Sequence, residues 1–366
     1  MQTMSSIERV TATLDREPVD RLAATESFWG ETRRRWADEG HVGSDEDLHD
    51  HFDLDLRYGG WPRLVADLDF QPRVLEETED TVLRLDGNGA TLRWMKHKGN
   101  APEHVDFTVK DRATWEEHAR QQLVAFDDRR VPYDEYRAAR TNAANKQRFF
   151  CWHGVAPFEC MHPVCGHEYM LMGMAMDPEW VQDMVTVYAD VTIAVMEELF
   201  SKVGKPDAVW FYEDMGFKGR PFMSPDMYRD LIQPGHAKLF EFAHGQGLKV
   251  IVHSCGFVEP LVPGLVEAGM DCLQAMEVKA GMDVVRLAEL FGDRICFCGN
   301  LDVRELISND TFRIDAEMDG KIPALLERGV GYIVHTDHSV PSEVDYSSMV
   351  HWYEKARAYQ VVPAIA

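Results

Sequence analysis

Residues 248–256 read Leu-Lys-Val-Ile-Val-His-Ser-Cys-Gly, a short apolar run that turns polar as it ends. Four other runs in the second half share its form: 208–213 (AVWFYE), 272–277 (CLQAME), 294–298 (RICFC) and 331–335 (GYIVH). Between them, 176–203, 226–245, 257–268, 282–291 and 312–328 carry apolar residues at helical spacing. Short strands of this kind alternating with helices predict parallel βαβ units buried on both faces. Two earlier segments, 22–26 (LAATE) and 148–153 (RFFCWH), bring the strands to seven and leave one unassigned in the first half. Eight such units close a barrel of roughly 250 residues or more. The expectation is therefore an α/β fold, a (β/α)8 TIM barrel, with 1–366 as a single domain. The surplus chain at 30–147 reads as an N-terminal elaboration over the barrel mouth, with a β-hairpin at 81–96 turning at Asp86-Gly87-Asn88-Gly89. Periodicity alone leaves a doubly wound open sheet as the alternative.

Composition narrows the partners. With 38 Lys+Arg against 62 Asp+Glu, the formal charge is -24, a field that repels polyphosphate and argues against nucleic acid. No apolar run approaches the roughly 20 residues of a membrane span. The charged opening, Met1 to Arg21, lacks the apolar stretch of a secretory signal. The seven cysteines are an odd number and suit reduced thiols better than a disulfide framework. The expected location is the cytoplasm.

The strand ends are the informative positions. They deliver Glu26, followed by Phe28 and Trp29, then His153, Glu213-Asp214, His253-Ser254-Cys255-Gly256, Glu277, Gly299-Asn300-Leu301-Asp302 and His335-Thr336-Asp337-His338. In a parallel barrel all of these lie on one rim, where active sites are built. Strand ends meet solvent in any case, but solvent favours Lys, Glu and Ser over this concentration of His, Cys and paired carboxylates.

His253 and Cys255 form an H-x-C pair as a strand ends, and alternate residues of an extended chain point the same way. A buried His beside a small apolar Cys is the commoner outcome of such a pair alone. Glu277 and His338, at the ends of later strands, strengthen the metal reading: one S, one O and two N ligands suit tetrahedral zinc. A second cluster, Cys160-Met161-His162-Pro163-Val164-Cys165-Gly166-His167, packs four potential ligands into eight residues. That crowding is unlike separated zinc modules, so it reads as a loop lining the mouth that leads into a helix at about 168.

Together, His253-Ser254-Cys255-Gly256, Gly299-Asn300-Leu301-Asp302 and Asp337-His338-Ser339-Val340-Pro341, with the opening Arg16-Glu17-Pro18-Val19-Asp20-Arg21, resemble the uroporphyrinogen decarboxylase superfamily. The resemblance covers nearly the whole chain and implies a (β/α)8 barrel. It also implies one of two chemistries. The decarboxylases use no metal and carry an arginine-rich N-terminal motif resembling R-Q-A-G-R. Here the corresponding stretch reads Glu26-Ser27-Phe28-Trp29-Gly30-Glu31, without those arginines. The corrinoid-dependent methyltransferase branch instead binds zinc through His, Cys, Glu and a later Cys. By that comparison His253, Cys255 and Glu277 match in type, and His338 stands where the last Cys would be. The resemblance also carries an expectation of a homodimer.

The expected function is a zinc-dependent methyltransferase moving a methyl group between a small methylated substrate or thiol and cobalamin. No D-x-H-x-x-G corrinoid signature occurs, so the cobalamin would ride on a separate corrinoid protein. Glu213, Asp214 and His338 are the candidate catalytic residues. Glu26, Phe28, Trp29, His153, Tyr212, Asn300, Asp302 and His335 are the candidates for substrate binding, with Trp61 as a further aromatic wall. A metal-free decarboxylase and a non-catalytic ligand-binding barrel are the competing readings.

Overall fold

The computed structural model describes residues 3–97 and 102–359. Eight parallel strands follow in chain order: β1 (Ala23–Ala24), β2 (Leu56–Gly59), β3 (Phe149–Val155), β4 (Ala208–Tyr212), β5 (Lys249–Ser254), β6 (Cys272–Ala275), β7 (Cys296–Gly299) and β8 (Tyr332–Val334). Each strand from β2 to β8 pairs with the next, and β8 pairs with β1. The last seam is bridged by Asp55. Its N–H donates to the Ala24 carbonyl at 2.9 Å, and its carboxylate accepts the Ala24 N–H at 2.9 Å. The sheet is thus a nearly closed barrel, which settles the choice against an open doubly wound sheet.

Two guanidinium groups hold that seam. Arg9 and Arg21 each reach the buried Asp55 carboxylate at 2.8 Å, and Arg9 also pairs with Asp20 at 2.7 Å. The acidic and basic end of the Arg16–Arg21 run therefore works before β1, at the base of the barrel. The lumen is filled by alternate strand residues, among them Phe149, Trp210, Ile251 and Ile333, and is plugged from below by Val10 and Leu14 of the helix Ser6–Leu14. Cys151, Cys272, Cys296 and Cys298 lie in this packing, and all seven cysteines are free. Small apolar thiols fit a lumen where larger side chains would overpack.

The strand missing from the sequence reading is β2, inside the stretch 30–147 assigned to an elaboration. Its run Leu56-Arg57-Tyr58-Gly59 has a charge in the middle, which hides the apolar pattern. Arg57 is buried there because Leu54 O and Leu56 O accept from it and Asp50 pairs with it. The true insertion is a four-stranded antiparallel sheet, Arg73–Glu77, Thr81–Leu85, Ala90–Met95 and Glu103–Phe107. Its central pair is the expected hairpin, with Asp86 accepting from the N–H groups of Asn88 and Ala90, both at 2.9 Å.

This sheet packs on the helix Pro157–Met176, which leaves the end of β3. The stretch 160–167, read as a loop, is part of that helix, with a kink at Gly166. Cys160 and Cys165 face its buried side, so they pack in the core and are not ligands. The long helix Pro178–Lys202 buries Met184, Val185, Tyr188, Val191 and Val195. No helix among the described residues is long and apolar enough to cross a membrane.

Candidate functional site

Parallel strands put their C-terminal ends on one rim, and the loops leaving β4 and β5 touch there. A Cβ on Gly256 would lie 2.3 Å from the Gly216 carbonyl carbon, so neither loop tolerates a side chain at the crossing. Gly256 also sits at φ +74°, a conformation glycine adopts without strain. Phe257 N–H donates to Phe217 O at 2.9 Å and locks the crossing. The result is that Asp214, just after β4, lies against Cys255, just after β5. Asp214 Oδ1 accepts the Cys255 N–H at 2.7 Å.

His253 completes the group. Its Nε2 lies 3.3 Å from Cys255 Sγ and 3.3 Å from Asp214 Oδ1. Ligand atoms of Asp214, His253 and Cys255 all fall within 4.8 Å of one another. A tetrahedral ion with bonds of 2.0–2.3 Å spaces its ligands by roughly 3.3–3.8 Å, so this donor set fits one. Gln274, the register partner of His253 on β6, points its amide oxygen at Nδ1. An amide oxygen only accepts, so Nδ1 carries a hydrogen and Nε2 is the nitrogen turned to the sulfur and the carboxylate, where a metal would replace its proton.

The electrostatics agree for the imidazole and the carboxylate, while burial pushes the Cys255 thiol up against the opposing pull of His253. Burial alone would lower the His253 pKa, but Cys255 and Asp214 outweigh it and raise the imidazole well above its usual value. Burial would likewise raise Asp214, yet His253 and the Cys255 N–H hold it low. A field that stabilises a proton at this point stabilises a metal cation there for the same reason.

The expected third and fourth ligands, Glu277 and His338, are not in this group. Glu277 accepts the Gly256 N–H at 3.0 Å and pairs with Lys279 at 2.8 Å, bracing the turn under Cys255. His338 stacks on Trp29 with ring centroids 6.3 Å apart. Both His338 and Trp29 instead line a cavity of about 210 Å³ with Trp210, Tyr212, His253, Cys255 and His335. A second cavity of about 520 Å³ opens on the other side of Cys255, lined by Phe217, Lys218, Glu277, Lys279 and Arg304.

The remaining candidates divide between site and scaffold. Tyr212 packs on His253 at 4.9 Å, and Trp61 sits 5.5 Å from Tyr212 and 5.2 Å from His153. Burial holds His153 down to about 4. Glu213 is fully buried, accepting from Phe158 N and Glu159 N, both at 2.9 Å, and pairing with buried His236 at 2.5 Å. It anchors the start of the helix Pro157–Met176 and does not line the cavity. Glu26 accepts from Thr336 N–H and Oγ1, both at 3.0 Å, and lies 3.2 Å from His335 Nε2. Phe28 stacks on Phe52 in the core. Asn300 donates to Met276 O and accepts from Val284 N–H, while Asp302 caps the helix Val303–Ile307.

Two residues of the site escaped the sequence reading. Gln274 is the single polar residue inside the run Cys272–Ala275, and a polar side chain in a barrel lumen is a signal in itself. Trp210 carried no such mark, because an aromatic in a buried strand is ordinary packing.

Fold and site together define a barrel enzyme family with a rim built for small molecules. The family profile of uroporphyrinogen decarboxylase (URO-D) matches residues 85–359, and the chain belongs to that family. Over 161 residues it is 26% identical to a methylated-thiol–coenzyme M methyltransferase of Methanosarcina mazei, covering 43% of this chain and 40% of that protein. The aligned chain thus spans well under half the length of that relative. A solved methyltransferase from Methanosarcina mazei superposes with a TM-score of 0.66 at 14% identity, covering 96% of this chain and 98% of the other. At that identity the likeness speaks for the fold.

Proposed function

We propose that this protein is a zinc-dependent methyltransferase that moves a methyl group between a small methylated substrate or thiol and a corrinoid carried by a partner protein. The observation that carries the reading is the convergence of Asp214, His253 and Cys255 between two cavities. One nitrogen, one sulfur and one oxygen form a donor set suited to zinc, with room for a fourth position. Zinc bound there would supply Lewis acidity at the heteroatom that gives or takes the methyl group.

The chain's own residues do the rest. Trp29, Trp210 and Tyr212 offer aromatic faces to a methylated sulfur, a contact worth roughly 0.3–1.5 kcal/mol. Gln274 keeps His253 Nε2 aimed at the centre, and Glu277 holds the Gly256 turn that presents Cys255. Transfer needs two reactants to reach one point, and the cavities on either side of Cys255 allow it. Among the described lining residues of the two cavities, the cations Lys218, Lys279 and Arg304 all belong to the larger one, so the aromatic smaller one is the side of Cys255 suited to an uncharged methyl group. The similarity to a methylated-thiol methyltransferase supports the class of reaction.

The test pairs metal content with activity. Protein purified without added zinc should hold about one equivalent at this site, and His253→Ala, Cys255→Ala and Asp214→Asn should each lose it. Methyl exchange between a methylated thiol and free cobalamin, followed by absorbance, should fall by roughly a hundredfold in the same variants. Glu277→Gln should keep the metal. Zinc content as high in all three ligand variants as in the unaltered protein, or turnover without metal, sinks the proposal.

A further inference from the structure

We propose a second metal site, independent of the first, formed by His104, His162 and His167. His104 stands on the accessory strand Glu103–Phe107, and the two others on the helix Pro157–Met176. One ring nitrogen of each lies within 4.8 Å of the others. The rings of His162 and His167 are 4.6 Å apart, and those of His104 and His162 are 5.8 Å apart. Phe107 packs against His104 and Phe222 against His167, shielding the group from water on two sides.

The chemistry of His162 points to a cation. Glu159 Oε1 lies 2.8 Å from its Nε2, and a carboxylate at that distance accepts a hydrogen, which places the proton on Nε2. Nδ1 is then a bare lone pair, and it is buried with no hydrogen-bond partner. Metal-bound histidines are held in this way, one nitrogen hydrogen-bonded to a carboxylate and the other on the ion. A metal satisfies the orphaned nitrogen, and three imidazoles select a divalent first-row ion of the cobalt-to-zinc range over calcium or magnesium. Such an ion ties the inserted sheet to the helix leaving β3. Gly166, where a Cβ would meet the Phe107 ring at 2.4 Å, permits the approach that brings the two elements together.

The test uses the Cys255→Ala/His253→Ala chain, in which the first site is disabled, titrated with Co(II). We expect one equivalent bound with visible absorption typical of nitrogen ligands and no thiolate charge-transfer band. His104→Gln, on an exposed strand, should weaken it at least roughly tenfold, as should Glu159→Gln through the hydrogen bond to His162. A raised melting temperature on adding Co(II), absent in His104→Gln, gives the same result without spectroscopy. No Co(II) uptake by the double variant, or uptake unchanged by both His104→Gln and His162→Gln, overturns the site whatever the first site does. Should His162→Gln not fold, His104→Gln decides alone.

Discussion

Gln274 sets the tautomer of His253. Its amide oxygen takes the Nδ1 hydrogen and leaves Nε2 facing Cys255 Sγ at 3.3 Å. The pair is possible because β5 and β6 are in register at these two residues, both facing the lumen. Gln274→Leu keeps the volume but frees the ring to rotate or change tautomer. Zinc affinity at the first site should fall by roughly ten- to a hundredfold with little change in fold. Competition with a chromophoric chelator measures this, and an unchanged affinity would show that the hydrogen bond is incidental.

The crossing of Gly216 and Gly256 is the mechanical counterpart of that hydrogen bond. Gly256→Ala adds a carbon 2.3 Å from backbone and forces a non-glycine residue to φ +74°. We expect a loss of about 2 kcal/mol or more, and a greater proportional loss of metal, since Cys255 and Asp214 are parted. Denaturant melts alongside metal analysis separate the two effects. Full metal binding in a destabilised Gly256→Ala protein would refute the positional argument.

Asp55→Ala probes the barrel seam instead of the site. It takes from the buried Arg9 guanidinium one of its two carboxylate partners, leaving Asp20, and removes an acceptor for Ala24. Breaking a buried pair from one side costs about 3–5 kcal/mol. Urea unfolding should show this loss, and a cost below about 1 kcal/mol would mean that water replaces the carboxylate.

Acid should weaken the fold through its buried histidines. Burial holds His153 and His335 at about 4, against roughly 6.5 in an unfolded chain. Between those values the unfolded chain binds more protons, so stability is complete above about pH 6.5 and falls as pH drops toward 4. Each group contributes on the order of 3 kcal/mol. Glu26 acts in the opposite sense. Burial raises it from 4.5 to about 8, so its contribution is lost as pH climbs through that window. Unfolding midpoints across pH should therefore bend down at both ends, with His153→Gln flattening the acid limb and Glu26→Gln the alkaline one. Limbs that keep their slopes in these variants would disprove the assignment.

The alternation of strand and helix, the hairpin at Asp86–Gly89 and the collection of His, Cys and carboxylates at strand ends were all readable along the chain, because each is a local pattern of residues near in sequence. So was the pairing of His253 with Cys255, two residues apart on one extended strand. What joined them was not readable. Asp214 rather than Glu277 stands with that pair because two glycines forty residues apart let the loops after β4 and β5 cross at contact distance. Glu277 is drawn instead to the Gly256 N–H and Lys279, and Glu213 to a helix start and to His236. The strand at Leu56–Gly59 was hidden for a similar reason, since Arg57 finds its acceptors only once the chain has folded around it. Periodicity fixes which face of an element is buried; which polar groups then meet is decided by packing between distant segments, where competition for donors and acceptors is settled by a few ångströms.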